Sequence, residues 1–151
     1  MFKKILVPLD GSELAAGILP QVAELAQKFQ AELTLLHVCP GEEPEVAAAA
    51  APGAGRVCAA YLGLLGKGLK AQGLQVNWVC LTGAPAREII RYAKEQKVDL
   101  IALATHGRGE VAWLLGSIAK KVLTHASVPV MLFRLLGKEP PKLKAKIKDF
   151  I

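Results

Sequence analysis

Apolar residues fall in five short runs along the chain, separated by longer segments with a different spacing. Most runs are rich in branched residues and lack strict alternation with polar ones, which is typical of strands covered on both faces of a parallel sheet. They predict strands at Lys4–Leu9, Glu32–Val38, Val76–Leu81, Asp99–Ala104 and Val128–Phe133.

The segments between these runs predict four helices. In Ser12–Phe29 apolar residues recur every three or four positions and form one stripe, and Ser12 suits the N-cap. The other three helices are predicted at Val57–Gln72, closed by Gly73, at Ala86–Gln96 and from Gly116 to about His125.

Strands and helices therefore alternate from the first strand to the last. Because parallel strands need crossover connections of one hand, this order predicts a Rossmann-like α/β fold. We expect a doubly wound, mainly parallel five-stranded sheet with helices on both faces. At 151 residues the chain suits one domain, predicted at 1–137, with a flexible loop at 39–56 and a basic tail at 138–151.

The charge is unevenly distributed. The net charge is +6, but the tail alone holds five lysines against two acids, so the body carries few excess cations. Aromatic residues make up only 5% of the chain. Both features argue against a nucleic-acid-binding surface on the domain. No apolar run approaches the length of a membrane span or a signal peptide, and we expect a cytoplasmic protein.

The three cysteines, Cys39, Cys58 and Cys80, have no short paired spacing of the kind found in metal or redox motifs. Cys39 and Cys80 end apolar runs, where a cysteine usually behaves as a small buried hydrophobe. The sequence predicts reduced thiols and no metal site built from protein side chains.

Candidate binding residues lie where predicted strands end, which is where open α/β sheets hold their ligands. The first strand closes on Pro8–Asp10 and the fourth on Ala104–Gly109, and the last helix opens with Gly116 and Ser117. Glycines let backbone amides approach an anion, and a helix start adds N–H groups and a positive dipole. These stretches predict a phosphate cradle. A tight turn followed by a helix cap remains the alternative.

Three stretches resemble the universal stress protein family. The run ATHGRGEVAWLLGSIAKKVLTHASVPVMLF resembles the family signature, and KKILVPLDGSELA resembles its opening strand and helix. LTGAPAREIIRYAKEQKVDLIALATHG resembles the third helix and fourth strand. The resemblance covers Phe2 to Phe133, with all motifs in family order.

The resemblance implies a site for ATP or another adenine nucleotide, with Mg²⁺ or Mn²⁺ bridging the phosphates. Asp10 would accept a hydrogen bond from ribose or adenine, although capping of the first helix explains it equally well. The implied nucleotide contacts are Pro8, Leu9, Asp10, Val38, Ala104, Thr105, His106, Gly107, Arg108, Gly109, Gly116, Ser117 and Ile118.

The sequence departs from the nucleotide-binding members of the family at two points. Ala104 stands where they have the first glycine, and eight residues rather than nine separate Gly107 from Gly116. Two alternatives to nucleotide binding therefore remain open. One is a structural or interaction dimer with an empty cradle, and the other is a slow ATPase.

Binding rather than catalysis is the leading expectation, because no nucleophile has an evident base. Glu110 is the only acid in the phosphate loop, and a solvated side chain explains it better. His37 is expected to be an ordinary hydrogen-bonded strand histidine. The family resemblance implies a homodimer through the last strand, Val128–Phe133, and a downstream protein partner that the sequence does not name.

Overall fold

The computed structural model describes residues 1–41, 54–105 and 115–134. Within these ranges five strands form one parallel sheet, and helices pack on both of its faces. The predicted α/β class and doubly wound architecture are confirmed. The strands are β1 (Lys4–Pro8), β2 (Glu32–Pro40), β3 (Gln75–Gly83), β4 (Leu100–Ala104) and β5 (Val130–Phe133). The helices are α1 (Glu13–Ala16), α2 (Leu19–Phe29), α3 (Ala54–Lys70), α4 (Pro85–Glu95) and α5 (Ser117–His125).

The strand order is β3-β2-β1-β4-β5, so the first strand lies at the centre of the sheet. From β1 the chain winds outward through β2 to β3, and it then crosses back to form β4 and β5 on the other side. The order reverses between β1 and β4. In doubly wound sheets the carboxyl ends of the strands separate at such a point and leave a crevice.

Two apolar layers hold the helices to the sheet, because successive strand residues point to opposite faces. In β1, Ile5 and Val7 pack in the layer beneath α1, α2 and α3, whereas Leu6 packs in the layer beneath α4 and α5. All three side chains are almost completely buried. The near-continuous apolar character of the strand therefore reflects burial on both faces.

The predicted helix at Ser12–Phe29 is two helices in the structure. Its first turn, α1, begins after Ser12, whose Oγ accepts a hydrogen bond from the N–H of Ala15 at 3.0 Å, as an N-cap does. The helix breaks before Leu19, and Pro20 lies in the first turn of α2. A proline lacks an N–H and its ring conflicts with the carbonyl four residues earlier, so it starts a helix more readily than it continues one.

The boundaries of the predicted loop at 39–56 are wrong at both ends. Strand β2 continues through Cys39 and Pro40, which pair with Thr82 and Gly83 because β3 is also longer than predicted. At the other end, α3 already begins at Ala54. The rest of that loop and the predicted tail at 138–151 lie outside the described residues.

The prediction of three reduced thiols is wrong for two of them. Cys58 and Cys80 form a disulfide that joins α3 to β3, with their Cα atoms 6.2 Å apart. The two residues are separated by 22 positions in the sequence, and only the packing of α3 on β3 brings them together. Cys39 is half-buried and has a free thiol.

None of the helices in the described ranges is long and apolar enough to cross a membrane.

A buried glycine allows α3 to approach β3 closely. A Cβ atom at Gly66 would overlap the indole ring of Trp78, whereas a Cβ atom at Gly68, two residues on and exposed, would meet nothing within 4 Å. The indole also lies beneath the ammonium of Lys70, 5.0 Å from the ring centroid. The contact between helix and strand therefore depends on the missing side chain at position 66.

We expect Gly66→Ala and Gly68→Ala to change stability in opposite directions. The first substitution forces the indole to move and should destabilise the protein by about 1–3 kcal/mol. The second only removes the flexibility of an exposed helical glycine and should stabilise the protein by up to about 1 kcal/mol. Urea unfolding monitored by Trp fluorescence measures both. Equal changes for the two variants would contradict this packing.

Candidate functional site

A cavity of about 370 Å³ opens at the carboxyl edge of the sheet, where the strand order reverses. The ends of β1, β2 and β4 form its floor, and residues of α1, α4 and α5 form its sides. Its volume is within the range of roughly 300–1,000 Å³ that is usual for small-molecule sites.

Seven of the sequence-predicted contacts lie in the wall of this cavity: Pro8, Leu9, Asp10, Val38, Ala104, Gly116 and Ile118. Thr105 and Ser117 directly follow wall residues in the chain but do not line the cavity themselves. The remaining four predicted contacts, His106, Gly107, Arg108 and Gly109, lie outside the described residues. The structure thus brings together residues that are far apart in the sequence.

The rest of the wall is mostly apolar: Ala15, Leu36, His37, Pro40, Pro85, Ile89, Leu103 and Ala119. Pro85 and Ile89 belong to the first two turns of α4, which packs beside α5. Neither residue carries a binding motif. The amphipathic pattern of α4 predicted a buried face but not that the end of this face borders a ligand cavity.

The turn after β1 presents Asp10 at the rim of the cavity. Its Oδ1 accepts hydrogen bonds from the N–H of Ser12 at 2.9 Å and from the Ser12 hydroxyl at 2.5 Å. Gly11 has a φ of +87°, a conformation that favours glycine. These bonds hold Ser12, the N-cap residue of α1, and the same carboxylate lines the cavity.

A hydrogen bond joins the two sides of the predicted phosphate segment. The N–H of Gly116 donates to the carbonyl oxygen of Thr105 at 2.7 Å, and the N–H of Thr105 donates to Phe133 at 3.1 Å. The amide of Gly116 is thus used within the protein. Because Thr105 and Gly116 are held together, the segment between them starts and ends at the rim of the cavity.

The first turn of α5 places backbone N–H groups beside the cavity. Its first intrahelical bond runs from the N–H of Lys120 to the carbonyl of Gly116 at 2.9 Å. The N–H groups of Ile118 and Ala119 come earlier and have no acceptor one turn back in the helix. Both residues line the cavity, so the positive end of the α5 dipole faces it.

His37 connects β2 to the end of β1. Its Nδ1 lies 2.7 Å from the carbonyl oxygen of Leu9, and because a carbonyl only accepts, Nδ1 carries the proton and donates. The lone pair is then on Nε2. The interpretation of His37 as a hydrogen-bonded strand histidine is confirmed, and the same residue lines the cavity.

Tyr61 of α3 lies near Asp10 but does not line the cavity. Its hydroxyl is buried and has no hydrogen-bond partner among the described residues. Burial raises the pKa of Tyr61 above its usual value, and the negative charge of Asp10 raises it further. The hydroxyl is therefore protonated at neutral pH and is close enough to Asp10 to feel its charge.

The chain is similar to proteins from bacteria and archaea over most of its length. Universal stress protein YxiE of Bacillus subtilis is 33% identical over 150 residues, which cover 89% of this chain and 100% of that protein. The structure of MJ0577 from Methanocaldococcus jannaschii matches with a TM-score of 0.79 at 28% identity, covering 91% of this chain and 99% of that one. UspA of Lactobacillus plantarum matches with a TM-score of 0.76 at 23% identity, over 88% and 98% of the two chains.

The family model described as "Universal stress protein family" matches residues 1–134, which include every described element of the sheet and of the cavity wall. The chain belongs to the universal stress protein family.

Proposed function

We propose that this protein binds an adenine nucleotide, with ATP as the leading candidate, in the cavity at the carboxyl edge of the sheet, and that it acts by binding rather than by catalysis. The observation that carries the proposal is the cavity itself. It lies at the switch point of a doubly wound sheet, has mainly apolar walls, and has one carboxylate and one helix start at its rim.

Two proteins of the same fold support the choice of ligand. One universal stress protein was solved in complex with cAMP, and it matches this chain with a TM-score of 0.66 at 22% identity. Another, from Archaeoglobus fulgidus, was solved in complex with dAMP, with a TM-score of 0.63 at 21% identity. Both ligands are adenine nucleotides, so this fold accommodates the adenine base and a phosphate group.

The nucleoside would occupy the side of the cavity formed by β1 and β2. Leu9 and Val38 provide apolar surface for a flat base. Asp10 is the acceptor at the rim. It suits a ribose, whose hydroxyls can donate to a carboxylate.

The phosphates would face the start of α5. The N–H groups of Ile118 and Ala119 and the helix dipole favour an anion there. We assign the remaining phosphate contacts to the loop predicted from the sequence, 106–109. Any Mg²⁺ or Mn²⁺ would be held mainly by phosphate oxygens and water, with the hydroxyl of Ser117 as the nearest protein oxygen of the α5 start.

The side chains of the cavity argue for binding over hydrolysis. Among the described residues of the wall, Asp10 is the only carboxylate, and its Oδ1 already accepts two hydrogen bonds from Ser12. Nδ1 of His37 is bonded to Leu9. A phosphoryl-transfer site needs a group that orients the attacking water. Occupancy of the cavity, reported to a protein partner, is therefore the proposed function.

We further propose a homodimer through the last strand. β5 lies at the end of the described sheet. The carbonyls of Pro129 and Phe133 accept hydrogen bonds from Ile101 and Thr105, so this set of backbone groups faces β4. Alternate residues of a strand point their backbone groups the other way, so those of Val130 and Leu132 face the open edge. A second copy can pair there.

Filling the cavity should abolish nucleotide binding. Ile118 is half-buried in the cavity wall, whereas Leu123 lies further along α5 and is 47% exposed. At 100 times its dissociation constant, ATP should stabilise the wild type by about 2.7 kcal/mol. Ile118→Trp should lose this stabilisation and Leu123→Trp should keep it, as measured by thermal unfolding with and without ATP.

The outcome of this experiment also separates the alternatives. No thermal shift for the wild type with ATP, AMP or cAMP would contradict the proposal and favour an interaction dimer with an empty site. Phosphate release from ATP that Ile118→Trp abolishes would instead indicate a slow ATPase.

Asp10 and Ser12 share one turn, so substitutions at the two residues can distinguish a role of Asp10 in stability from a role in nucleotide binding. Asp10→Ala removes both hydrogen bonds to Oδ1, whereas Ser12→Ala removes the hydroxyl bond to Oδ1 and the N-cap bond from Ala15, so each variant loses two bonds and should be destabilised by about 1–2 kcal/mol. Only Asp10→Ala also removes the carboxylate from the cavity rim. We therefore expect it to weaken nucleotide affinity about tenfold or more beyond Ser12→Ala in calorimetric titrations. Equal affinities would exclude Asp10 as a nucleotide contact.

The proposed dimer predicts a difference between neighbouring proline substitutions in β5. Leu132→Pro removes an outward N–H and should give a folded monomer in size-exclusion chromatography with light scattering. Met131→Pro removes an N–H on the β4 side and should lower the melting temperature more. A folded Leu132→Pro protein that remains dimeric would show that the dimer uses another surface.

A further inference from the structure

Three side chains that can ligate a metal ion, His37, Cys39 and Cys58, meet beside the cavity, and a fourth, Cys80, is bonded to one of them. His37 and Cys39 lie two residues apart on β2, so they point to the same face of the sheet. Cys80 is the register partner of His37 on β3 and points to that face too. Cys58 of α3 packs over the same face and is joined to Cys80.

The distances within this cluster are short. A ring nitrogen of His37 and the sulfur atoms of Cys39 and Cys58 all lie within 4.8 Å of one another. Cys80 is not one of these three, but its sulfur atom is bonded to that of Cys58 and therefore lies beside them. None of these residues is adjacent in the sequence. The register of β2 on β3 and the packing of α3 assemble them.

We propose that the reduced protein binds one Zn²⁺ ion through His37, Cys39, Cys58 and Cys80, and that the Cys58–Cys80 disulfide is the oxidised, metal-free state of the same site. Three cysteines and one histidine form a common ligand set of structural zinc sites, which are tetrahedral. This site is separate from the nucleotide site proposed above, although His37 borders both.

The histidine is already oriented as a zinc ligand. Its Nδ1–H donates to the carbonyl oxygen of Leu9 at 2.7 Å, which leaves the lone pair of Nε2 for the ion. A hydrogen bond from the second ring nitrogen to a backbone carbonyl is the usual way in which proteins fix the tautomer and orientation of a metal-bound histidine. Such an arrangement is not needed for a histidine that only fills space.

The chemistry balances with a thiol as the reductant. Two molecules of a small thiol reduce the disulfide to the thiols of Cys58 and Cys80 and leave as their own disulfide. Zn²⁺ then binds the three thiolates of Cys39, Cys58 and Cys80 and the neutral imidazole, and three protons are released. The metal undergoes no redox change. Zinc and the disulfide exclude each other, because the bonded sulfurs of Cys58 and Cys80 are not thiolates.

The backbone needs little movement to form the site. In a tetrahedral zinc site with Zn–S bonds of about 2.3 Å, the sulfurs lie about 3.8 Å apart. The Cα atoms of Cys58 and Cys80 are 6.2 Å apart, so rotation of the two side chains can separate the sulfurs to this distance. His37, Cys39 and Cys80 are half-buried and give an ion access, whereas Cys58 is 4% exposed.

Both the disulfide and the bound zinc ion would hold α3 against β2 and β3. The same cluster would therefore stabilise the fold in oxidising and in reducing surroundings. Disulfides persist in oxidising surroundings and are rare in reducing ones. Where the disulfide opens, a bound zinc ion replaces the covalent link between α3 and the sheet. His37 is also bonded to Leu9, a residue of the nucleotide cavity wall.

The test is an anaerobic metal titration of the full chain after reduction and removal of the reductant. Co²⁺ serves as the spectroscopic probe, and Zn²⁺ is then added in competition with a chromogenic chelator. We expect one ion per chain, thiolate-to-cobalt charge-transfer absorption, and displacement of Co²⁺ by Zn²⁺. The same protein oxidised to the disulfide should show no charge-transfer band.

Several variants test the ligand set, so that the test does not rely on the folding of any one of them. Cys39→Ser keeps the Cys58–Cys80 pair, and it should weaken Zn²⁺ binding at least about tenfold, as should His37→Gln. His125→Gln, at the end of α5, is the control and should bind like the wild type. If Cys58→Ser does not fold, Cys39→Ser and the oxidised wild type still decide the question.

Three results would overturn the proposal. The first is the absence of charge-transfer absorption in the reduced protein. The second is metal binding that survives both oxidation and Cys39→Ser. The third is metal binding that His125→Gln weakens and His37→Gln does not. None of them bears on the nucleotide site, because Ile118→Trp and the thermal shift with ATP test that site independently.

Discussion

The central strand β1 is the element on which the rest of the structure depends. It pairs with β2 along its whole length and with β4 on its other side, and its side chains are buried in both apolar layers. The backbone pairing with β2 continues one residue beyond β1, where the N–H of Leu9 donates to the carbonyl of Leu36 at 2.8 Å. Since the sheet is parallel, the strands that flank β1 end at the same edge. The cavity forms where their order reverses.

The geometry of the site comes mainly from backbone groups and short turns. The Asp10–Ser12 turn fixes the rim after β1, and the hydrogen bond between Gly116 and Thr105 fixes the rim after β4. Such contacts are held by the rigid sheet and depend little on the identity of wall side chains. The replacement of a family glycine by Ala104, whose side chain is 7% exposed in the wall, is therefore compatible with an open cavity.

His37 links the two sites that we propose. Its bond to Leu9 holds the end of β1 against β2, and one of its ring nitrogens lies within 4.8 Å of the sulfur atoms of Cys39 and Cys58. A change in the redox state of Cys58 and Cys80 acts on α3, the helix that carries Tyr61 towards Asp10. The proposed nucleotide site and the proposed zinc site therefore share structural elements.

The sequence by itself determined the order and type of the elements, because burial on both faces leaves a local pattern in each strand and helix. It also placed Pro8–Asp10 and Ala104 at the edge of the sheet where the cavity lies, since strand ends can be recognised locally. Only the tertiary structure decided the rest. Three features depend on strand order and register. These are the disulfide between Cys58 and Cys80, the position of Pro85 and Ile89 in the cavity wall, and the hydrogen bond from the Gly116 amide to Thr105. Contacts between distant segments follow from how the elements pack, and the periodicity of a single element does not contain that information.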